Sequence, residues 1–458
     1  YYMNPYNLIH NNKYHKDAIV FLCESIINIY KQSLVNPGEM VGMVGAQSIG
    51  EPTTQMSLHA DERIRIVKRS RGTNDYKAIN VTIGQFCDSI IQKNPELTFN
   101  TGHPDSVETI LEGDGYFVVG VDGKERTAWN RISHVSKHPV NGNMMKVTTR
   151  SGRTVRTTTS HSHLIRRNQT VEPITGSDMK VGMRIPVCKR LETPFKYDKI
   201  KIGDDEQELD TIFGWFIGAY LAEGSINYHT IGISNISEHY KNYTSKIAEI
   251  FGKTYKYKEQ DGEYGRSGTS YFAHKELSKF IRETCGVGSY NKCVPAFAFT
   301  APEKFKSSLI QGYIDGDGNI QSDDKHHQIR ASSRSEQLIK DISQLLSEFG
   351  IFATTHKDKK NMFNLNISAK YAHSYKEYID TVIHEDKLNN IIRYEERNNE
   401  HSSPDYVEKI NGLGEIIAKC GKTLKLPGQS RIYGRWSKKD SIGLRTLQKY
   451  INVFQNHP

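Results

Sequence analysis

Two nonapeptides in this chain, Phe216-Ile-Gly-Ala-Tyr-Leu-Ala-Glu-Gly224 and Ile310-Gln-Gly-Tyr-Ile-Asp-Gly-Asp-Gly318, are variants of one pattern, each placing a carboxylate directly before a closing glycine. Their small residues, Gly218 and Ala222 in one and Gly312 and Gly316 in the other, recur four apart, the spacing of one helix face. Two such faces leave grooves in which two backbones can approach closely. Gly224 and Gly318 fit the left-handed position that ends a helix. Helices packed along these grooves would bring Glu223 and Asp317 together at one end. Two carboxylates that close repel, and one pKa must rise. A hard divalent cation such as Mg²⁺ relieves the repulsion because it prefers oxygen ligands and keeps several waters. Glu223 and Asp317 are therefore the candidate metal ligands, and hydrolysis of a phosphodiester is the chemistry such a site supports.

The surroundings repeat as well. After Gly224-Ser-Ile226 the pattern predicts a strand over 231–236 and a helix over 238–251 ending at Gly252; after Gly318-Asn-Ile320 it predicts a strand over 328–333 and a helix over 336–349 ending at Gly350. A pseudo-twofold α/β domain over 196–385 is expected. Asp315-Gly-Asp317-Gly-Asn319 also begins like a calcium loop, but its sixth position is Ile320 and its twelfth His326 where that loop needs Gly and Glu.

The pair resembles the LAGLIDADG homing endonucleases. The resemblance implies that the two helices form the interface of two half-domains and that Glu223 and Asp317 act on opposite strands of double-stranded DNA. Lys292, in Asn291-Lys-Cys-Val-Pro295, matches the lysine that this family carries near the cleavage site; read alone, a lysine before a proline turn is a solvated side chain. A counterpart in the second half is expected, with Lys370 as a loose match. The alternative to an active nuclease is a decayed insert that serves only as a DNA-binding or structural module.

From His59 to about Val187 the texture is of short strands and turns, such as Tyr116-Phe-Val-Val-Gly-Val-Asp-Gly123 and Met145-Lys-Val-Thr-Thr-Arg-Ser-Gly152, which predicts an all-β module. Ser57 stands where this texture begins, and Thr158 and His161 form a Thr-x-x-His within it. A serine at such a junction with this motif suits an autocatalytic N to O acyl shift: Ser57 attacks the Met56 carbonyl, His161 protonates the departing nitrogen, and Thr158 holds the peptide. The stretch from Ser57 to about Val187 resembles the N-terminal splicing part of inteins, the Hint fold, with Ser57, Asp61, Thr158 and His161 at family positions and the match running on through Val171-Glu-Pro-Ile-Thr-Gly-Ser-Asp-Met-Lys-Val-Gly-Met-Arg-Ile-Pro-Val187, which implies a splicing domain over 57–195. His161 with His163 could also suggest zinc, but no further ligand lies at a suitable spacing.

Upstream, an amphipathic helix is predicted over 18–35. Asn36-Pro-Gly-Glu-Met-Val-Gly42 and Ala46-Gln-Ser-Ile-Gly-Glu-Pro-Thr-Thr-Gln-Met56 resemble the largest subunit of multisubunit DNA-dependent RNA polymerases where the trigger loop begins. A phosphate loop is the other reading of these glycines, and it lacks the required Gly-Lys-Ser/Thr. The resemblance makes 1–56 an N-extein whose host assembles with other RNA polymerase subunits, and it makes the uninterrupted polymerase gene the DNA target.

Charge adds a last region. Lys and Arg outnumber Asp and Glu by 61 to 52, and nine basic against two acidic residues between Asn411 and Pro458 supply most of that excess. The stretch over 386–458 is expected to be a small helical basic region that grips DNA, helix-turn-helix-like around Ser441 to Gly443, with a solvated helix face as the plainer reading. Six cysteines without a CxxC pair point to a reducing, intracellular setting rather than a zinc ribbon. The longest apolar run, 213–222, falls well short of the ~18 residues that span a bilayer, so no membrane partner is expected. Asn456-His457-Pro458 is not the His-Asn that closes an intein, so the chain reads as a fragment that would not complete splicing.

Overall fold

The computed structural model describes residues 13, 15–33, 57–69, 76–100, 105–111, 115–122, 125–140, 142–167, 170–188, 190, 191, 197–262, 265–323, 326–398, 409–427, 433–438 and 441–456. The chain divides into two compact units, Tyr1–Gln55 and Met56–Pro458. In the first, helix α1 spans Lys16–Ser33. The polymerase-like motif over 36–56, and His457 with Pro458, lie outside the described residues.

The second unit opens with a strand-rich part. Strands β1 (Arg63–Arg69) and β2 (Tyr76–Thr82) form an antiparallel hairpin. Helix α2 (Ile83–Lys93) follows directly, so this stretch is not all-β. A capping box starts it: Thr82 Oγ1 accepts from the Gln85 N–H at 3.2 Å, and Gln85 Oε1 accepts from the Thr82 N–H at 3.2 Å. Its buried Phe86, Cys87 and Ile90 pack with Ile66, Tyr116 and Val135, and that apolar face overrides the strand-like texture around it. Then come β3 (Thr98–Asn100), β4 (Val107–Ile110), β5 (Gly115–Val121), β6 (Thr127–Arg131), β7 (His134–Lys137), β8 (Met144–Thr148), β9 (Thr154–Thr158), β10 (Ser162–Arg167) and β11 (Thr170–Thr175). They assemble as a four-stranded sheet β2-β1-β5-β6, a three-stranded sheet β3-β4-β7 and the hairpins β8-β9 and β10-β11. A further hairpin, β12 (Lys199–Ile202) with β13 (Asp205–Glu208), leads out of it.

The α/β part has two matching halves. The first runs α3 (Thr211–Glu223), β14 (Gly224–Asn227), β15 (Thr230–Ser234), α4 (Glu238–Ile250), β16 (Lys256–Gly262), β17 (Gly265–Ala273) and α5 (Lys275–Cys285). The second runs α6 (Glu303–Asp317), β18 (Gly318–Ser322), β19 (His327–Ser333), α7 (Glu336–Glu348), β20 (Thr354–Lys357), β21 (Phe363–Ser368), α8 (Ala372–Tyr378) and α9 (Glu385–Asn398). The sheets, β14-β15-β17-β16 and β18-β19-β21-β20, have one topology. Gly252 and Gly350, past α4 and α7, take φ of +62° and +73°, the left-handed ends that glycine accepts without strain.

Residues 409–456 close the chain with β22 (Lys409–Asn411), α10 (Gly414–Thr423), β23 (Ser441–Gly443) and α11 (Leu444–Gln455) around Ile417, Leu426, Tyr433, Trp436, Ile442 and Tyr450. The expected break between two helical pieces, Ser441–Gly443, is instead a strand paired with Lys409–Asn411. Its buried Ile442 joins the small core there, so the described part of this region is mixed rather than purely helical.

Candidate functional site

Helices α3 and α6 meet backbone to backbone. A Cβ on Gly218 would overlap the Leu309 carbonyl, and one on Gly312 would overlap the Trp215 carbonyl, so only glycine allows this approach. From Phe213 to Leu221 every residue of α3 is buried, as befits a helix with protein on all sides. Tyr240 ties the pair from α4, donating its hydroxyl to the Gly312 carbonyl at 3.1 Å.

Both nonapeptides run straight from helix into strand. Gly224 and Gly318 have φ of −79° and −83°, so the left-handed helix end expected at each does not occur. The glycines serve close approach instead: a Cβ on Gly224 would overlap Tyr220, and one on Gly318 would overlap the Ile314 carbonyl. Each closing carboxylate is therefore the last residue of its helix and the next residue begins a sheet.

Glu223 and Asp317 lie near one another, close enough for the Glu223 charge to act on Asp317. The position a Cβ would take on Gly316, the neighbour of Asp317, is 3.2 Å from Glu223 Cγ. Burial raises the Glu223 carboxyl, and burial followed by the Glu223 charge pushes Asp317 up to about 7. Lys292 stands with them. Its Nζ donates to the carbonyls of Tyr220 at 2.8 Å and Ala222 at 3.4 Å, the open C-terminal end of α3. Burial lowers its pKa, while Asp317 and Glu223 oppose that shift. The arrangement is two acids and one cation around the ends of a helix pair. A two-oxygen donor set of this kind fits a cation that completes its shell with water. Among the described residues, no group of three or more His, Cys, Asp or Glu is gathered as a metal site.

The residues singled out near the start of the second unit also assemble. The Ser57 N–H donates to Thr158 Oγ1 at 3.1 Å, the Thr158 N–H donates back to the Ser57 carbonyl at 3.0 Å, and the His161 N–H donates to the Thr158 carbonyl at 3.1 Å. Among the described residues, His161 Nδ1 is buried without a hydrogen-bond partner. Its ring lies 5.2 Å from that of His163, and burial and then His163 lower its pKa. Asp61 is turned to solvent beside His59 and Arg156.

A family model described as LAGLIDADG-like domain matches residues 304–380, and one described as RNA polymerase Rpb1, domain 5 matches residues 5–62. The chain carries a LAGLIDADG domain and an Rpb1 segment. It is 32% identical over 450 residues to the DNA-directed RNA polymerase subunit Rpo1C of Methanocaldococcus jannaschii, covering 93% of this chain and 50% of the relative. It is 24% identical over 236 residues to the transcription initiation factor IIB of the same organism, covering 52% of this chain and 32% of the relative. The chain thus spans half or less of these curated relatives' lengths. Among solved structures, I-DmoI in complex with DNA and Mn is similar at 15% identity with a TM-score of 0.31, covering 38% of this chain and 98% of that one.

The matched stretch lies in the second half of the α/β part; the first half, beginning at Thr211, repeats its strand order. The halves differ at the helix ends. Lys370 stands 4.9 Å over the Tyr371 ring, whereas the side chain placed beside the Gly318 backbone, directly after Asp317, is that of His384. His384 rides on a turn held by the second nonapeptide: Asp315 accepts from the Thr381 hydroxyl, and Thr381 Oγ1 accepts from the His384 N–H at 3.2 Å. No local pattern marks His384 in the sequence. Asp341 of the LAGLIDADG domain was also missed, although a carboxylate among Leu338, Ile342 and Leu345 on the apolar face of a helix is a legible anomaly.

Proposed function

We propose that the LAGLIDADG domain hydrolyses phosphodiesters of double-stranded DNA, with Glu223 and Asp317 holding a divalent cation, Mg²⁺, and each acting on one strand. The observation that carries this reading is the approach of two half-buried carboxylates at the ends of glycine-packed helices, with Asp317 raised to about 7 by desolvation and by Glu223. Once bound, the cation supplies a Lewis acid and ordered water for hydrolysis. The protein's own part is to hold the two carboxylates rigidly and to present Lys292, whose charge offsets theirs and attracts a phosphate. The target is the polymerase coding sequence without its insert, and the Rpb1 segment belongs to a largest subunit that assembles with other RNA polymerase subunits inside the cell. A plasmid carrying that uninterrupted sequence should be cut near the insertion point by the purified chain in Mg²⁺. Cutting that survives Glu223→Gln combined with Asp317→Asn would sink the assignment.

A second activity has its own support in the Ser57–Thr158 contact and in His161 Nδ1, buried without a partner among the described residues. In this reading residues 57–195 are a Hint-type splicing module. Ser57 Oγ bonds to the Met56 carbonyl carbon and gives its proton to water, the Met56–Ser57 C–N bond breaks, and His161 delivers one proton to the freed amine, so one proton leaves and one arrives. Thr158 orients the Ser57 N–H throughout. Hydroxylamine should release residues 1–56 from the chain, and release unchanged by Ser57→Ala would refute the nucleophile.

A further inference from the structure

The backbone on which Lys292 sits is held mainly by the other half of the domain. Ser335 Oγ, at the start of α7, donates to the Lys292 carbonyl at 2.6 Å. Asp341 Oδ2, midway along α7, accepts from the Val294 N–H at 3.2 Å. The Cys293 N–H donates to the Cys285 carbonyl at 2.9 Å, the local bond of the three. Asp341 and Ser335 are 1% and 2% exposed, so neither bond is weakened by solvent.

Asp341 reaches further. Its Oδ1 accepts from Gln337 Nε2 at 2.7 Å on its own helix and from Asn80 Nδ2 at 3.3 Å, and Asn80 belongs to β2 in the strand-rich part. That part grips α7 again at its last residue, where Arg65 of β1 pairs with Glu348 at 2.6 Å. Helix α7 therefore lies between the strand-rich part and the Lys292 loop, bonded to both. Packing does not explain the carboxylate, since a leucine would satisfy the apolar neighbours, and a buried carboxylate is costly unless donors surround it. Three donors from three places do so here. An asparagine offers one acceptor oxygen and could not serve them all.

We propose that Asp341 and Asn80 are positioning residues for Lys292, so that the strand-rich part sets the precision of the DNA-cutting site through the path Asn80 to Asp341 to Val294. This rests on the nuclease reading above. The lysine ammonium reaches two carbonyls of α3 beside both acids, and a displacement of the loop by about 1 Å is enough to cost a reaction on the order of 100-fold. Neither residue touches DNA or the reacting atoms in this scheme. Binding is therefore left intact while turnover falls.

The test uses the full chain with Asn80→Ala and, separately, Asp341→Asn. Hydrogen exchange of the Val294 amide and its neighbours is read without DNA, and single-turnover cleavage of the plasmid is read against DNA concentration. Asn80→Ala is expected to speed exchange in the loop and to lower the maximal cleavage rate about tenfold, in the range typical of supporting partners, at unchanged half-saturating DNA. Asp341→Asn acts in the same direction and more strongly. If Asp341→Asn fails to fold, Asn80→Ala decides, because its half-buried side chain leaves no large hole. Loop exchange and rate both unchanged in Asn80→Ala, or faster exchange spread evenly over the whole unit, would overturn the proposal. A parent chain that does not cut DNA at all fails the nuclease reading instead, and the exchange data still decide whether Asn80 holds the loop.

Discussion

Asp317 is pushed up to about 7 first by burial and then by the Glu223 carboxylate across the helix pair, with Lys292 pulling the other way. An unfolded Asp titrates near about 3.9. Between those values the folded chain keeps a proton that the unfolded chain has released, so this group's contribution is full below about 4 and declines as pH rises through 7. A divalent cation competes for the same oxygens. Apparent Mg²⁺ affinity should rise with pH below 7 by up to on the order of tenfold per unit, one proton leaving per cation bound. Thermal unfolding with and without Mg²⁺ at pH 5.5 and 8 checks this: the gain in Tm should be larger at pH 8 and nearly absent in Glu223→Gln combined with Asp317→Asn. An equal gain at both pH values would place the cation elsewhere.

The helix pair makes a sharper prediction about glycine. Alanine at 312 would meet the Trp215 carbonyl and, at 3.0 Å, the Ala219 nitrogen, backbone atoms that cannot step aside. Overpacking costs about 1–3 kcal/mol, only partly offset by the higher helix propensity of alanine. Because the helices must separate, Gly312→Ala should slow DNA cutting more than it weakens DNA binding. Gly252→Ala is the control: its Cβ meets nothing within 4 Å, and its φ of +62° makes the cost one of backbone strain alone. Denaturant midpoints and single-turnover rates for both variants separate the two effects.

What the sequence made legible follows from how local each signal is. The small residues at 218 and 222 and at 312 and 316 are spaced by one helical turn, so the helix pair and the approach of Glu223 to Asp317 could be read from a few residues. The closing glycines were located but misread, because a glycine at a helix end is required as much by a crowded neighbour, Tyr220 or Ile314, as by a positive φ. Helix α2 was announced by Thr82 and Gln85 and obscured by strand-like texture on either side. Asn80 and Asp341 belong to another class. They are bonded across 261 residues of sequence, and neither carries a local pattern that names its partner. His384 is likewise set beside Gly318 by the turn that Asp315 holds, a tertiary fact rather than a motif.

The last prediction concerns the charges that fasten α7. Glu348 accepts from Arg65 at 2.6 Å and from Lys306 at 2.6 Å, with the three side chains between 3% and 7% exposed. Arg65 also lies 4.8 Å over the Phe299 ring, which shields one face of its guanidinium. In such a setting the attraction scarcely exceeds the cost of desolvation, but removing the single anion strands two buried cations. Glu348→Gln should therefore lower stability by about 3–5 kcal/mol. Removing Glu336, whose pair with Lys340 is solvent-exposed, should change it by less than about 1 kcal/mol. Replacing all three buried groups together, Arg65→Met, Lys306→Met and Glu348→Leu, should recover most of the loss, since no charge is then left without a partner. Denaturant titration of the three variants reads the differences directly, and a Glu348→Gln variant as stable as the parent would mean that water reaches this cluster.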